Sequence, residues 1–600
     1  MIIDSAPEVK LYTKESVELP SIIKNRFPRI QSVYQPESTN EIQQIFSFSR
    51  KNKLSIIPRG AATSGMGGIA PLRRSIMADL TFLNRILDFD EKKKTINFEA
   101  GLRWWELKQF LKEHSLDVYT CPTSLFSTVG GWLATGGYGI NSFGFGHISN
   151  LVDSIETVTA DKKKRIDRKH PEFKYFIGTE GQMGIISKVT LKVRESKPSR
   201  HYLVLFKNTS ETAGFISELL RSHKIHPVHI VYYDRNRLEH KNLSLNGKVF
   251  FPQMEGVLIT LEDFSAEGEL LSLLERKKGI LAENYLSAFL WNERYFPFSI
   301  KHFYPSILGC EATLPIKNLV PYMRRTKKFG EDYGIPLSTE ATLINKNEVV
   351  VITIFPSDPK KLTHFLHLFL TYSLTHIAIK CGGKPYGIGI WNLPLLKKIF
   401  SAKDIQEFLF FKKETDPFNL INPAKSFSQD FKITSLLKLG YFLSSLFSNG
   451  YPLLKPIFRT KNHDSKKPNN HTSESEACAN CGACTIVCPA YLKTRTEIVT
   501  AKGKLFILKQ LLRGSHVPAP VAEKIFLCLH CHLCEHVCQS KLILTPVWEK
   551  LESIVEKKYG RPKEKIEDFV KQVESDPAYT QLFDTFGISS NNNHQEIRNV

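Results

Sequence analysis

The chain has 600 residues, 42% of them apolar, and its 81 basic against 60 acidic side chains leave a formal charge of +21. That length exceeds one small domain and can bury several cores, while the charge suits acidic partners, an anionic membrane face or nucleic acid; without any recognisable nucleic-acid module, nucleic acid ranks last. Residues 1–20 hold Asp4, Glu8, Lys10, Lys14, Glu15 and Glu18 and no apolar run, so no signal peptide is read there and a cytoplasmic location, where thiols stay reduced, is expected.

Leu54-Ser55-Ile56-Ile57 predicts a buried strand that runs into Pro58-Arg59-Gly60-Ala61-Ala62-Thr63-Ser64-Gly65-Met66-Gly67-Gly68. Small residues at that density leave consecutive backbone N–H groups uncovered, which makes a concave site for an anion such as phosphate. The loop is neither a Walker loop nor a dinucleotide Gly-x-Gly-x-x-Gly fingerprint. Two more glycine-rich stretches, residues 128–147 and 178–186, lie beside strand-like sequence such as Val152 to Val158. Three such loops within 190 residues fit a long ligand lying across them, and a dinucleotide has that shape.

The order Pro58-Arg59-Gly60-x-x-Thr63-Ser64, Leu83-Asn84-Arg85-Ile86, Glu99-Ala100-Gly101, Thr128-Val129-Gly130-Gly131-Trp132 and Gly178-Thr179-Glu180-Gly181-Gln182-Met183-Gly184-Ile185-Ile186 resembles the FAD-binding domain of the vanillyl-alcohol oxidase and p-cresol methylhydroxylase fold. Within it, the chain looks most like glycolate oxidase flavin subunits, D-lactate dehydrogenases and alkyl-dihydroxyacetonephosphate synthase. The resemblance implies an α+β fold, with a two-part FAD-binding domain (residues 1–195) and an α/β cap that covers the isoalloxazine (residues 196–428). It also implies that Arg59, Gly60, Ala61, Ala62, Thr63, Ser64 and Gly65 wrap the pyrophosphate. Pro122, Thr123 and Ser124, with Thr128, Val129, Gly130, Gly131, Ala134 and Thr135, would line the flavin and ribityl chain. Glu180, Gly181 and Ile186 would close over the adenine half. Ala61 and Ala62 stand where some members carry a flavin-linking His, so non-covalent FAD is expected.

After Arg194 the glycine-rich loops stop. Strand candidates (Tyr202 to Phe206, Gly256 to Leu261, Val349 to Phe355) alternate with helical stretches (Glu267 to Arg276, Leu362 to Ser373), as in the family's cap. Asp416-Pro417-Phe418-Asn419-Leu420-Ile421-Asn422-Pro423-Ala424-Lys425 resembles the motif that returns the chain to the flavin, which makes Asn422 and Lys425 candidates to touch it. The 2-hydroxy-acid dehydrogenases carry Gly-Glu-His-Gly-Ile-Gly where this chain has Lys384-Pro385-Tyr386-Gly387-Ile388-Gly389. Their second signature, two His around Gly-Asp-Gly-Asn, is replaced by Ser338-Thr339-Glu340-Ala341-Thr342. A divalent ion that polarises a hydroxyl takes imidazole and carboxylate ligands, and those are missing. Tyr386 then stands as the candidate base, with Lys384 to lower its pKa or bind an anionic group, and Glu340 as a second candidate.

Residues 431–470 hold seven Lys or Arg and one acid, Asp464. Within them Leu436, Leu439, Leu443, Leu446 and Phe447 share one helical face. The run is too short to span a bilayer; it either lies in a membrane interface or packs on the flavin half. Residues 466–470, with His471 and Ser473, form a polar hinge, and the tail from Gly587 is Asn- and Ser-rich.

The remaining pattern is the most specific. Cys478-x2-Cys481-x2-Cys484-x3-Cys488-Pro489 is followed by Cys528-x2-Cys531-x2-Cys534-x3-Cys538. Such runs hold [4Fe-4S] cubanes, with the fourth Cys of each run reaching the neighbouring cluster. The predicted ligand sets are crossed: Cys478, Cys481 and Cys484 with Cys538, and Cys528, Cys531 and Cys534 with Cys488. Zinc usually takes two ligands from such a loop, and a disulfide framework suits small secreted domains. Residues 471–560, with Lys502-Gly503-Lys504 opening a helix, resemble the front half of the glycolate oxidase iron–sulfur subunit, an all-α dicluster ferredoxin-like domain, and residues 561–600 read as a tail. FAD taking two electrons from a small organic molecule, and two clusters carrying them singly to a quinone, an electron-transfer flavoprotein or a ferredoxin, is the expected chemistry. A hydroxy-acid dehydrogenase with an altered pocket, or a non-catalytic electron-transfer subunit, is the alternative.

Overall fold

The computed structural model describes residues 1–16, 27–243, 250–427, 431–448, 474–577, 579 and 581–582. The hinge predicted at 466–473 and the tail from Gly587 lie outside the described residues. The first sheet runs in the order Ile2–Ile3, Ile30–Tyr34, Ser75–Asp79, Ser55–Arg59, the last three strands parallel. Helix Thr39–Asn52 crosses over between two of them. Ser38 caps it by accepting from Glu41 N–H, and Lys53 in the left-handed region ends it. Its Ile42, Ile45 and Phe46, three to four residues apart, are buried against the sheet, worth roughly 1.5–3 kcal/mol each.

A second, antiparallel sheet runs Ile86–Asp90, Thr95–Glu99, Ile185–Glu195, Val152–Val158, Lys163–Asp167, with Leu116–Val118 paired to the far end of the long strand. Between these two sheets lie the three glycine-rich loops. The long strand ends at Glu195, and at Arg200 the chain enters a third sheet of eight antiparallel strands, from Ile280–Leu281 at one edge to Lys384–Pro385 at the other. Helices Thr209–Arg221, Glu267–Arg276, Leu319–Tyr333 and Leu362–Lys380 pack around this sheet and share its core. Alternation explains the strands: in Ser306–Pro315 the buried positions include Leu308, Cys310, Ala312 and Leu314, and Glu311 faces the other way.

The closing motif then brings the chain back. Ile56 N–H donates to Leu420 C=O and Asn422 N–H to Ile56 C=O, both at 2.8 Å. Asp416 fixes the turn by accepting from Leu420 and Ile421 N–H and from the buried Lys412 ammonium at 2.6 Å. Helix Phe431–Ser448 packs on Leu362–Lys380, where Tyr441 stacks on His376 with ring centres 4.1 Å apart. Its outer side leaves Leu439, Phe442 and Leu443 exposed. No helix among the described residues is long and apolar enough to cross a membrane.

The C-terminal lobe is helical and has its own core, to which all eight cysteines of the ladder contribute. Helix Lys563–Glu574 adds Phe569 and Val573 to that core. The packed region therefore continues past residue 560, where a tail was expected.

The seam between the lobes is built partly from the first residues of the chain. Helix Ala6–Tyr12 is too short to be stable alone, but Val9 and Tyr12 enter the core of the first sheet and Leu11 enters the core of the C-terminal lobe. Glu8 accepts from Thr496 Oγ1 at 2.6 Å and from Lys524 Nζ at 2.9 Å. At the centre Arg59, 1% exposed, lies between Asp79 at 3.3 Å and Glu497 at 2.6 Å, and Lys502 closes on the other oxygen of Glu497 at 2.6 Å.

Candidate functional site

Two cavities share lining residues, including Thr63, Ser64, Ser124, Trp132, Thr135 and Glu180. One runs along the glycine-rich loops and the other opens beneath the cap. Most residues predicted to hold the flavin line the first: Arg59, Gly60, Ala61, Ala62, Thr63, Ser64, Pro122, Thr123, Ser124, Thr128, Gly130, Gly131, Ala134, Thr135, Glu180, Gly181 and Ile186. Gly65 lines the cavity under the cap instead. Thr128 accepts from Gly131 N–H and caps helix Val129–Thr135, which sets that turn against the cavity.

Four of the predicted residues make further contacts of their own. The two Nη groups of Arg59 go to Asp79 and Glu497, so the side chain holds the seam while it also lines the cavity, its buried Nε without a hydrogen-bond partner. Val129 is wholly buried in the core of the second sheet. Asn422 donates to Glu180 C=O at 2.8 Å, and Lys425 donates to Gly68 C=O. Both brace the walls and do not line the cavity. A trough of backbone, hydroxyls and glycines, with Glu180 Oε2 buried and unpartnered inside it, fits an extended dinucleotide.

The cavity beneath the cap has a volume of ≈ 370 Å³, within the usual range for a small-molecule site. Tyr386 lines it, but Lys384 does not: it is exposed on the edge strand Lys384–Pro385. The Tyr386 hydroxyl accepts from Tyr138 N–H at 2.7 Å and donates to Tyr138 C=O at 3.3 Å. Burial pushes this phenol well up, so it stays protonated and is a poor base. Glu340 is paired with Arg237 at 3.0 Å. Two carboxyls in these walls have no ion pair among the described residues: Glu180, at the junction with the first cavity, and Glu311, which burial raises to about 7.

Cations stand in the same walls. Arg237, Lys241 and Arg294 line the cavity; burial, then Arg237, brings Lys241 down to about 8. Arg294 lies over the rings of Trp291 and Tyr295, and its buried Nε has no hydrogen-bond partner. Sequence reasoning missed Glu311, Arg237, Lys241 and Arg294, because they come from three separate elements and no motif joins them. A strand whose alternation places a lone Glu among apolar neighbours was the available signal.

In the C-terminal lobe the two Cys loops repeat one backbone. Asn480 and Gly482 flank Cys481 with positive φ, and His530 and His532 flank Cys531 likewise. A small cavity is walled by Cys488, Cys528, Cys531 and Cys534, which is one predicted crossed set. Burial first, then neighbours that include Cys478 and Cys484, pushes the Cys538 thiol up to about 12, so Cys538 stands with the other set. Among the described residues no three such side chains close on a single ion; Cys488, Cys528, Cys531 and Cys534 ring a small volume instead. Four thiols around such a space fit a cubane.

The loops of the two lobes meet directly. A Cβ on Gly482, whose φ is +72°, would lie 3.2 Å from Ala61 C=O. Arg103 Nη2 donates to Thr485 Oγ1 at 2.8 Å, and Lys301 of the cap donates to Cys478 C=O at 3.0 Å.

Residues 30–163 match a family described as an FAD binding domain, and residues 474–542 match a 4Fe-4S dicluster domain. Glycolate oxidase subunit GlcD of Bacillus subtilis is 23% identical over 434 residues, 67% of this chain and 91% of that protein. A D-lactate dehydrogenase of Archaeoglobus fulgidus is 22% identical over 426 residues, 68% of this chain and 94% of that one. Among solved structures, 4-ethylphenol oxidase from Gulosibacter chungangensis superposes with a TM-score of 0.58 at 14% identity, covering 71% of this chain and 94% of that one. Alkyldihydroxyacetonephosphate synthase gives a TM-score of 0.55 at 21% identity, covering 66% of this chain and 77% of that one. These likenesses agree with the α+β fold and with flavin and iron–sulfur chemistry.

Proposed function

We propose that this FAD-dependent iron–sulfur oxidoreductase oxidises a small anionic hydroxy compound, of the 2-hydroxy-acid class, and passes the electrons one at a time through two [4Fe-4S] clusters to an external acceptor. The observation that carries this reading is the cavity beneath the cap, where Arg237, Lys241 and Arg294 stand together with Glu311, a carboxyl outside any ion pair among the described residues and raised to about 7 by burial. The names of the similar glycolate oxidase subunit and D-lactate dehydrogenase support the same substrate class.

Bound FAD supplies a two-electron hydride acceptor, and the clusters supply one-electron carriers. Arg294 and Lys241 bind and orient the substrate's acidic group. Glu311 takes the hydroxyl proton as the carbon loses hydride, so the alcohol becomes a carbonyl. A carboxylate poised near neutrality suits that task, because it is ionised at working pH yet basic enough to accept the proton. Tyr386, fixed by Tyr138, shapes the wall. Trp132, Tyr372 and Trp391 help to exclude water.

The exposed Leu439, Phe442 and Leu443, beside Lys438 and the basic residues 451–470 in the sequence, support a peripheral contact with an anionic membrane face and a quinone as the acceptor.

Anaerobic mixing of the loaded protein with D-lactate, D-2-hydroxyglutarate, glycolate and uncharged polyols tests the reading by flavin absorbance. Bleaching by a hydroxy acid and not by polyols is expected. Equal bleaching by polyols overturns the substrate class, and no bleaching by any donor favours an electron-transfer subunit without a pocket chemistry of its own.

A further inference from the structure

Helix Ala501–Leu512 sends two lysines that flank one glycine, Lys502 and Lys504, to different partners. Thr500 caps the helix, and a Cβ on Gly503 would fall 2.3 Å from Glu497 C=O and 2.4 Å from Ile498 Cα. Only glycine lets the helix start that close to the preceding turn. The approach buries both neighbours and turns them to different partners. Lys502 goes to Glu497 in the seam. Lys504, 3% exposed, reaches Cys528 Sγ at 2.6 Å and lies 3.9 Å from the centre of the Trp548 ring.

The two thiol sets therefore differ in their electrostatics. Around Cys478, Cys481, Cys484 and Cys538 the nearby cations make their hydrogen bonds to oxygen: Lys502 to Glu497, Lys541 to Glu293 and Lys301 to a carbonyl, with the Lys502 ammonium acting on Cys484 only through its charge. Main-chain donors reach sulfurs of both sets; in the first, Asn480 N–H goes to Cys478, Lys502 N–H to Cys484 and Leu542 N–H to Cys538, each at 3.4 Å. The set of Cys488, Cys528, Cys531 and Cys534 has an ammonium directly on a sulfur. Reduction adds one negative charge to a thiolate-bound cage without making or breaking a bond, and a buried cation stabilises the more negative state.

From this contact we propose that Lys504 is a tuning residue that makes the cluster held by Cys488, Cys528, Cys531 and Cys534 the higher-potential one. It follows that electrons arriving from the flavin lobe, by way of the set nearest Ala61, collect on the second set and leave from there. The inference rests on the reading that both sets hold [4Fe-4S] clusters, so the test begins by establishing that.

The full chain is purified anaerobically and its iron measured; about eight irons per chain are expected for two cubanes. A lower count with one cluster removes the premise and so overturns the inference together with the two-cluster reading. With both clusters present, an EPR-monitored redox titration of the wild type is expected to show two one-electron steps at least tenfold apart in electron occupancy, about 59 mV. Lys504→Met is expected to move the higher step down by a similar factor and leave the lower one in place, while Lys504→Arg keeps it. If the Met variant does not retain its iron, Lys504→Gln, which keeps a donor but not the charge, is expected to give a smaller shift in the same direction. Coincident steps in the wild type, or a Met or Gln variant in which the lower step moves or neither does, overturns the inference.

Discussion

Buried charge is handled in opposite ways on two sides of the flavin lobe. In the seam, Arg59 and Lys502 meet Asp79 and Glu497, two cations against two carboxylates with all four closed off from solvent. In the cavity beneath the cap, Glu311 keeps a carboxyl with no ion pair among the described residues. Burial pulls each carboxyl upward and still raises Asp79 beside Arg59, but at Glu497 Arg59 and Lys502 together overcome it and hold that group down to about 2. Nothing overcomes it at Glu311, which stands near 7. A matched set of buried charges fixes how two lobes sit together; an unmatched one costs stability and is left ready to exchange a proton.

The largest effect that sharpens this contrast is expected in the cavity. Glu311→Gln should lower kcat by about 10²–10⁴-fold, with flavin and iron content unchanged. In the wild type the rate should fall as pH drops through about 7, because the base becomes protonated, and the variant should lose that limb. Stability runs the other way. Between the ordinary carboxylate range and about 7 the folded protein holds a proton at Glu311 that the unfolded chain has released, so this group's contribution weakens as pH rises. A pH–rate profile unchanged by the substitution would remove Glu311 from the mechanism.

Next in size is the seam. Arg59→Met leaves Asp79 and Glu497 buried without their shared cation and should cost about 3–5 kcal/mol in denaturant unfolding. Glu497 adds a pH dependence of the usual carboxylate sign: its contribution is complete above the ordinary range and is lost as pH falls toward about 2. Unaltered unfolding in Arg59→Met would show that the paired charges do not join the lobes. The smallest effect is expected from Tyr386→Phe. It removes one hydroxyl held between Tyr138 N–H and C=O and should cost about 0.5–1.5 kcal/mol, with a change of a few-fold in rate. A loss as large as that of Glu311→Gln would restore the phenol to the proton-transfer step.

The glycine-rich loops and the cysteine ladder were legible in the sequence because their chemistry is local: each needs a backbone shape or a spacing that a dozen residues carry. The strands Arg200–Phe206 and Glu255–Leu261 were legible for the same reason. Arg59 was assigned to the cofactor by the loop's resemblance to a flavin-binding family, yet its partner Glu497 is 438 residues away. Tyr386 aligned with a catalytic His by linear position, while its hydroxyl was already engaged by Tyr138. Glu311 carries no motif. The part proposed for it depends on which strand face it occupies and on its standing outside any ion pair among the described residues, and both are tertiary facts.

Where Gly482 abuts Ala61, main chain meets main chain. The gap between the two halves at that point is therefore set by peptide thickness, and no choice of side chain can make it shorter. Gly482→Ala would strain a backbone at φ +72° and press a methyl against a carbonyl only 3.2 Å away. Because tunnelling decays steeply with distance, even a slight parting of the halves would slow conduction without altering any donor, acceptor or binding group.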